Sequence, residues 1–149
     1  MTWTGHTLTG WSDGAHTYQP GDSVTVTGAE TLTAQWATTT YPIVYLANGS
    51  SDAVPTSSNI SYNGILTIGS AITNYGYTFA GWGDSISSGA VSTYAPGQYY
   101  GSASNLILYA QWTIQSYTLT YDKNSGTGTP PNQVTQNYNT TVKIGRAHV

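Results

Sequence analysis

The chain contains copies of itself at one fixed spacing. Tyr18-Gln-Pro-Gly21 returns as Tyr94-Ala-Pro-Gly97, Ala34-Gln-Trp36 returns as Ala110-Gln-Trp112, and Tyr41 returns as Tyr117, each pair 76 residues apart. A constant period marks a tandem array of small modules rather than one large domain, and this argues against an ordinary enzyme. The copies lay out as residues 1–36, the C-terminal part of one repeat, residues 41–112, a complete repeat, and residues 117–142, the N-terminal part of a third. Gly10-Trp11 matches Gly81-Trp82 at a spacing of 71, so the complete repeat carries five extra residues between Trp82 and Pro96. An insertion of that size is expected in a surface loop. With both outer copies partial, the sequence reads as a fragment of a longer array.

The last residues are set apart from this reading. Ile144-Gly-Arg-Ala-His-Val149 is what ATC GGA AGA GCA CAC GTC encodes, a stretch of a common sequencing adapter, and the preceding adapter bases agree with Lys143. Residues 143–149 are therefore expected to be adapter read-through, with native sequence ending near Val142. Reading the parent locus past that point and finding the same six codons would overturn this.

Composition narrows the function. Only 6% of residues are charged, against roughly 25% for an average soluble domain. The complete repeat has no Lys or Arg, and its only acids are Asp52 and Asp84. It cannot neutralise phosphates, so nucleic acid is not an expected partner, and a polybasic membrane-surface role fails for the same reason. No apolar run approaches the roughly 18 residues of a membrane-spanning helix, so no membrane insertion is expected. Cys is absent, so no disulfide holds the modules together and the redox compartment is unmarked. Neutral, Thr-rich tandem modules point to an extracellular stalk, with signal peptide and anchor outside this fragment.

Strand signals dominate. Leu106, Leu108, Ala110 and Trp112 alternate with other residues, as do Leu32, Ala34 and Trp36 in the earlier copy and Tyr117, Leu119 and Tyr121 in the later one. Side chains alternate across a strand, so each set is expected to line a core. Further strands are read at Tyr77 to Trp82, Asn59 to Tyr62 and Tyr99 to Tyr100. Asn48-Gly49, Asn63-Gly64, Pro96-Gly97 and the stretch from Asn124 to Pro131 read as turns or loops. One short helical turn is placed around Ile65 to Ile72, although Thr67, Ile68 and Gly69 are poor helix formers. The expected core comprises Trp11, Trp36, Tyr77, Phe79, Trp82, Leu108 and Trp112. A unit this small is marginal by itself, so Trp112→Ala is expected to unfold the complete repeat.

Gly76-Tyr-Thr-Phe-Ala-Gly-Trp82, Tyr94-Ala-Pro-Gly97 and Leu108-Tyr-Ala-Gln-Trp-Thr113 together resemble the Listeria-Bacteroides repeat, the B-repeat module of internalin-type surface proteins. Tyr41 to Gly49 resembles that family's first strand and Ala-Asn-Gly-Gly turn, and Tyr117 to Gly126 resembles it again. The resemblance covers nearly all of the chain before the adapter-like residues. Departures are His6 and Leu8 in place of Tyr and Phe, Ser50 in place of a second Gly, and Ile68 to Tyr75 in place of a Leu-Pro-x-Pro segment. The resemblance implies an α+β, β-rich fold of tandem β-grasp-like modules, one complete and two partial. It also implies a bacterial secreted or surface-anchored protein whose repeats serve as spacers or interaction domains. It supplies no catalytic residues and no cofactor.

His6 and His16 lack convergent metal or catalytic partners in sequence and read as surface or strand-packed residues. Asp84 is answered by Asp13 near the same turn, which reads as turn chemistry rather than half of a glycosidase acid pair with Asp52. Tyr94, Tyr99, Tyr100 and Tyr109 are the candidate contact residues, since exposed Tyr offers flat amphipathic area to a protein or a sugar. The alternative is that they stabilise cross-strand packing. The leading expectation is a non-catalytic stalk segment in adhesion whose partners are neighbouring repeats and host or surface proteins. The competing one is a carbohydrate-binding module, or an accessory module of a secreted enzyme, stacking glycans on Tyr99, Tyr100 and Tyr109.

Overall fold

A computed structural model describes residues 1–87 and 92–144. Residues 88–91, within the stretch that holds the five-residue insertion, and residues 145–149 of the adapter-like tail lie outside the described residues. The first partial repeat contributes β1 (His6–Ser12), β2 (Thr17–Tyr18) and β3 (Thr33–Thr38). The complete repeat holds β4 (Thr40–Leu46), β5 (Ser58–Ser61), β6 (Leu66–Thr67), β7 (Tyr77–Gly83), β8 (Thr93–Tyr94), β9 (Tyr99–Tyr100) and β10 (Leu106–Ile114). Beyond it come β11 (Ser116–Leu119) and β12 (Val134–Asn137).

The complete repeat is built on a five-stranded sheet ordered β5-β4-β10-β7-β8. Its central strand β10 runs parallel to its neighbour β4, with Ile43 opposite Leu106 and Tyr45 opposite Leu108. All other neighbours in that sheet are antiparallel. The first partial repeat forms the sheet β2-β1-β3, whose antiparallel pairings copy those of β8, β7 and β10. The pairing of β11 with β12 copies that of β4 with β5 in the same register.

The α+β expectation is overturned: no helix occurs among the described residues, and the architecture is all-β. The helical turn placed at Ile65 to Ile72 is extended chain. Leu66 and Thr67 pair with Tyr100 and Tyr99, the Ile68 N–H donates to Gln98 O at 2.8 Å, and the Gly97 N–H donates to Ile68 O at 2.9 Å. A helix needs those backbone groups internally. Here they are committed across the module, while Ile68 and Ile72 insert their side chains into the core.

That core lies wholly within the complete repeat and is formed by Ile43, Tyr45, Ile60, Ile68, Ile72, Trp82, Tyr100, Leu108 and Ala110. Trp82 and Leu108 are fully buried. Of the other expected core residues, Phe79 and Trp112 are half-buried against this cluster, and Tyr77, Trp11 and Trp36 are half-buried. The expectation that Tyr117 and Leu119 line a core is corrected, since they are 52% and 38% exposed. Among the described residues β11 pairs only with β12, whereas β4 is flanked by both β5 and β10.

Candidate functional site

Strand alternation alone puts Phe79 and Trp82, three residues apart, on opposite faces. A bulge reverses this. Trp82 pairs with Ala110 and Gly81 with Gln111, but Trp112 pairs with Phe79, so Ala80 is the extra residue. Both rings therefore reach one face, with centroids 5.3 Å apart, and Phe79 meets Trp112 at 5.6 Å. The earlier copy does the same: Leu8 pairs with Trp36 and Trp11 with Ala34, leaving Thr9 extra. The residue after the extra one is Gly in both, at φ +130° for Gly81 and +153° for Gly10. A Cβ on Gly81 would stand 2.7 Å from Thr93 Cγ2, and one on Gly10 would stand 2.6 Å from Tyr18 O. Both the conformation and the close approach of the neighbouring strand call for glycine there.

The two tryptophans then tie loops to the sheet. The Trp82 indole N–H donates to Gly69 O at 3.2 Å, and the Gly69 N–H donates to the Tyr45 hydroxyl at 2.9 Å. Tyr45 meets the Trp82 ring edge-on at 4.9 Å. The Trp112 indole N–H donates to Asn48 O at 2.9 Å, and the Asn48 amide donates to Ala110 O at 2.8 Å. The Ala-Asn-Gly turn after β4 is thus clasped from both sides. Gln111, buried between the tryptophan positions, donates to Ser85 O at 2.8 Å. Buried polar atoms need such partners, and every buried side-chain nitrogen and oxygen among the described residues has one.

The four candidate contact tyrosines do not form one surface. Tyr100 is 9% exposed and belongs to the core. Tyr94 is half-buried and packs edge-on against Tyr100 at 5.5 Å. Tyr99 points outward at 76% exposure, and Tyr109 is half-buried on β10, opposite Gly83 and Leu46. Open depressions of about 300 and 280 Å³ lie on residues 117–144, away from these tyrosines.

The titratable residues shape turns. The Asp13 carboxylate accepts from the Ala15 and His16 N–H groups and from the Tyr18 hydroxyl. These bonds hold Asp13 far below the usual carboxylate range and push the Tyr18 hydroxyl up. Asp52 accepts from both the hydroxyl and the N–H of Thr73, which lowers its pKa and ties the turn after β4 to the chain before β7. His16 lies 3.5 Å from Asp13, and His6 stacks on Trp3 at 3.8 Å. Among the described residues no group of three or more His, Cys, Asp or Glu is placed to hold a metal ion, and no helix is long and apolar enough to cross a membrane.

A family model described as the Listeria-Bacteroides repeat domain matches residues 41–111. A protein of Evansella cellulosilytica predicted to be a Gly-rich membrane protein is 31% identical over 128 residues, covering 82% of this chain and 14% of its own length. Internalin H of Listeria monocytogenes is 37% identical over 87 residues, covering 57% of this chain and 16% of its own. The chain thus spans only about a seventh of the length of these relatives. No solved structure matches. The matched segment contains the parallel strand pair, the bulge and the clasped turn, and its relatives are bacterial surface or membrane-associated proteins. Residues 41–111 are a Listeria-Bacteroides repeat.

Proposed function

We propose that this chain is a non-catalytic stalk segment of a bacterial surface protein, lying outside the cell and setting the distance between the surface and domains beyond it. The observation that carries this reading is the brevity of the connections. β3 and β4 are separated by Thr39 alone, and β10 and β11 by Gln115 alone. A flexible linker spreads its end-to-end distance over many conformations. A one-residue break between paired strands has little such freedom, so neighbouring repeats hold a fixed separation. Contact with host or surface proteins is a secondary role, and of the four candidate tyrosines Tyr99 is the one best presented for it.

The reading is tested by inserting one, two and three further copies of residues 41–116 into the array and measuring the maximum dimension by small-angle scattering. A constant increment per copy is expected. Growth that flattens with each copy, as in a compacting chain, would refute it.

A further inference from the structure

Both junctions between repeats are made the same way, although their sequences differ. At the first, the Thr39 N–H donates to Gly5 O at 2.8 Å and Thr39 O accepts from the Tyr62 N–H at 2.8 Å. At the second, the Gln115 N–H donates to Gly76 O at 2.9 Å and Gln115 O accepts from the Tyr138 N–H at 2.7 Å. The single linking residue therefore bridges the glycine of the earlier repeat to the tyrosine of the later one through its backbone. At the second junction the Gln115 side chain adds to this, its amide donating to Tyr77 O at 3.2 Å and its Oε1 accepting from the Tyr117 hydroxyl.

The side-chain requirement falls on the two ends of the bridge. Gly5 and Gly76 take φ of +73° and +81°. A Cβ on Gly5 would stand 2.0 Å from Cδ1 of Tyr62, and one on Gly76 would stand 2.1 Å from Cδ1 of Tyr138. Each tyrosine ring thus lies flat on the backbone of the preceding repeat, in space that only glycine leaves open. Tyr62 and Tyr138 are delivered by the same turn, with Asn63 and Asn139 at φ +57° and +61°. In that turn the Gly64 N–H donates to Ser61 O, as the Thr140 N–H does to Asn137 O. Aromatic residues of the earlier repeat line the seat: His6 faces Tyr62 at 6.5 Å, and Tyr75 and Tyr77 face Tyr138 at 5.4 and 6.1 Å.

We propose that this glycine and tyrosine form a repeat-to-repeat docking site, a socket on the end of one copy and a plug on the start of the next, which locks neighbouring repeats at one angle. The partner it fits is another repeat of the same kind. Socket and plug lie on opposite ends, so the contact is head-to-tail and does not close on itself. Every junction that keeps both residues has the same geometry, and a repeat lacking either residue marks a hinge. The proposal rests on the stalk reading and adds the device that stiffens it.

The test uses pulsed electron spin resonance distances in the whole chain, which has no native Cys to compete for the label. Labels at T9C and T78C span the first junction, and labels at N59C and T78C give a control pair within the complete repeat. All three positions are exposed. A single narrow distance peak across the junction is expected in the parent chain and in Tyr62→Phe, and its loss is expected in Tyr62→Ala with the control pair unchanged. A broad distribution in the parent chain overturns the lock. A peak that stays narrow in Tyr62→Ala also overturns it, while leaving the stalk reading to its scattering test. If Tyr62→Ala disturbs the control pair, Gly5→Ala, which fills the socket from the other repeat, decides by the same criterion.

Discussion

Truncating Trp82 to alanine removes a fully buried side chain from the centre of the complete repeat. Its ring edges contact Tyr45 and Phe79, and its indole N–H holds Gly69 O at 3.2 Å. Truncations of buried Trp typically cost about 3–5 kcal/mol, because transfer energy and a cavity add. The Gly69 carbonyl also loses its donor, on a segment that carries Ile68 into the core. At roughly 0.05–0.15 kcal/mol per residue, a module of this size holds only about 4–10 kcal/mol in all. One kcal/mol moves the midpoint of a domain of 60–100 residues by about 4–8 °C, so the melting temperature is expected to fall by at least about 12 °C. Trp112→Ala, expected from the sequence to unfold the repeat, is on the structure expected to cost less than Trp82→Ala, since Trp112 is half-buried and loses its packing on Phe79 and the clasp on Asn48 O. Circular dichroism melts of the parent chain and both variants check the order. A fall of less than about 4 °C for Trp82→Ala, or a larger fall for Trp112→Ala, would refute the placement of the core around Trp82.

Two further outcomes follow from the same structure. Asp52 has its pKa lowered by the Thr73 hydroxyl and N–H, so its contribution to stability is present above the unfolded value of about 3.9 and is lost as pH falls through the folded one. Urea midpoints measured from pH 7 down to 2 are expected to decline less steeply in Asp52→Asn than in the parent, and identical profiles would count against the clamp. Gly81→Ala is expected to destabilise the complete repeat by about 1–3 kcal/mol, through a strained positive φ and a Cβ crowded against Thr93. An unchanged denaturation midpoint would show that the bulge does not need glycine.

The repeat period, the strand alternation and the Gly and Asn turns are legible in the sequence because they are local: spacing, period two and permitted φ need no knowledge of distant neighbours. The family resemblance rests on the same local motifs. Tyr62-Asn63 and Tyr138-Asn139 also stand 76 residues apart, so one signal of the junction lay in the sequence beside the anchors that define the repeat. What the tyrosines do there was not legible, because their seat on Gly5 and Gly76 belongs to another repeat.

Tertiary structure alone decided the rest. The segment from Ile65 to Ile72 carries apolar residues at a spacing a helix could use, and it is extended because its backbone finds partners at residues 97–100. Phe79 and Trp82 share a face only because a bulge inserts Ala80, which strict alternation cannot foresee. Tyr99 and Tyr100 are neighbours in sequence, yet one is exposed and the other buried. Which of them faces the core is set by register against β6, and register is a property of the paired strands rather than of either one.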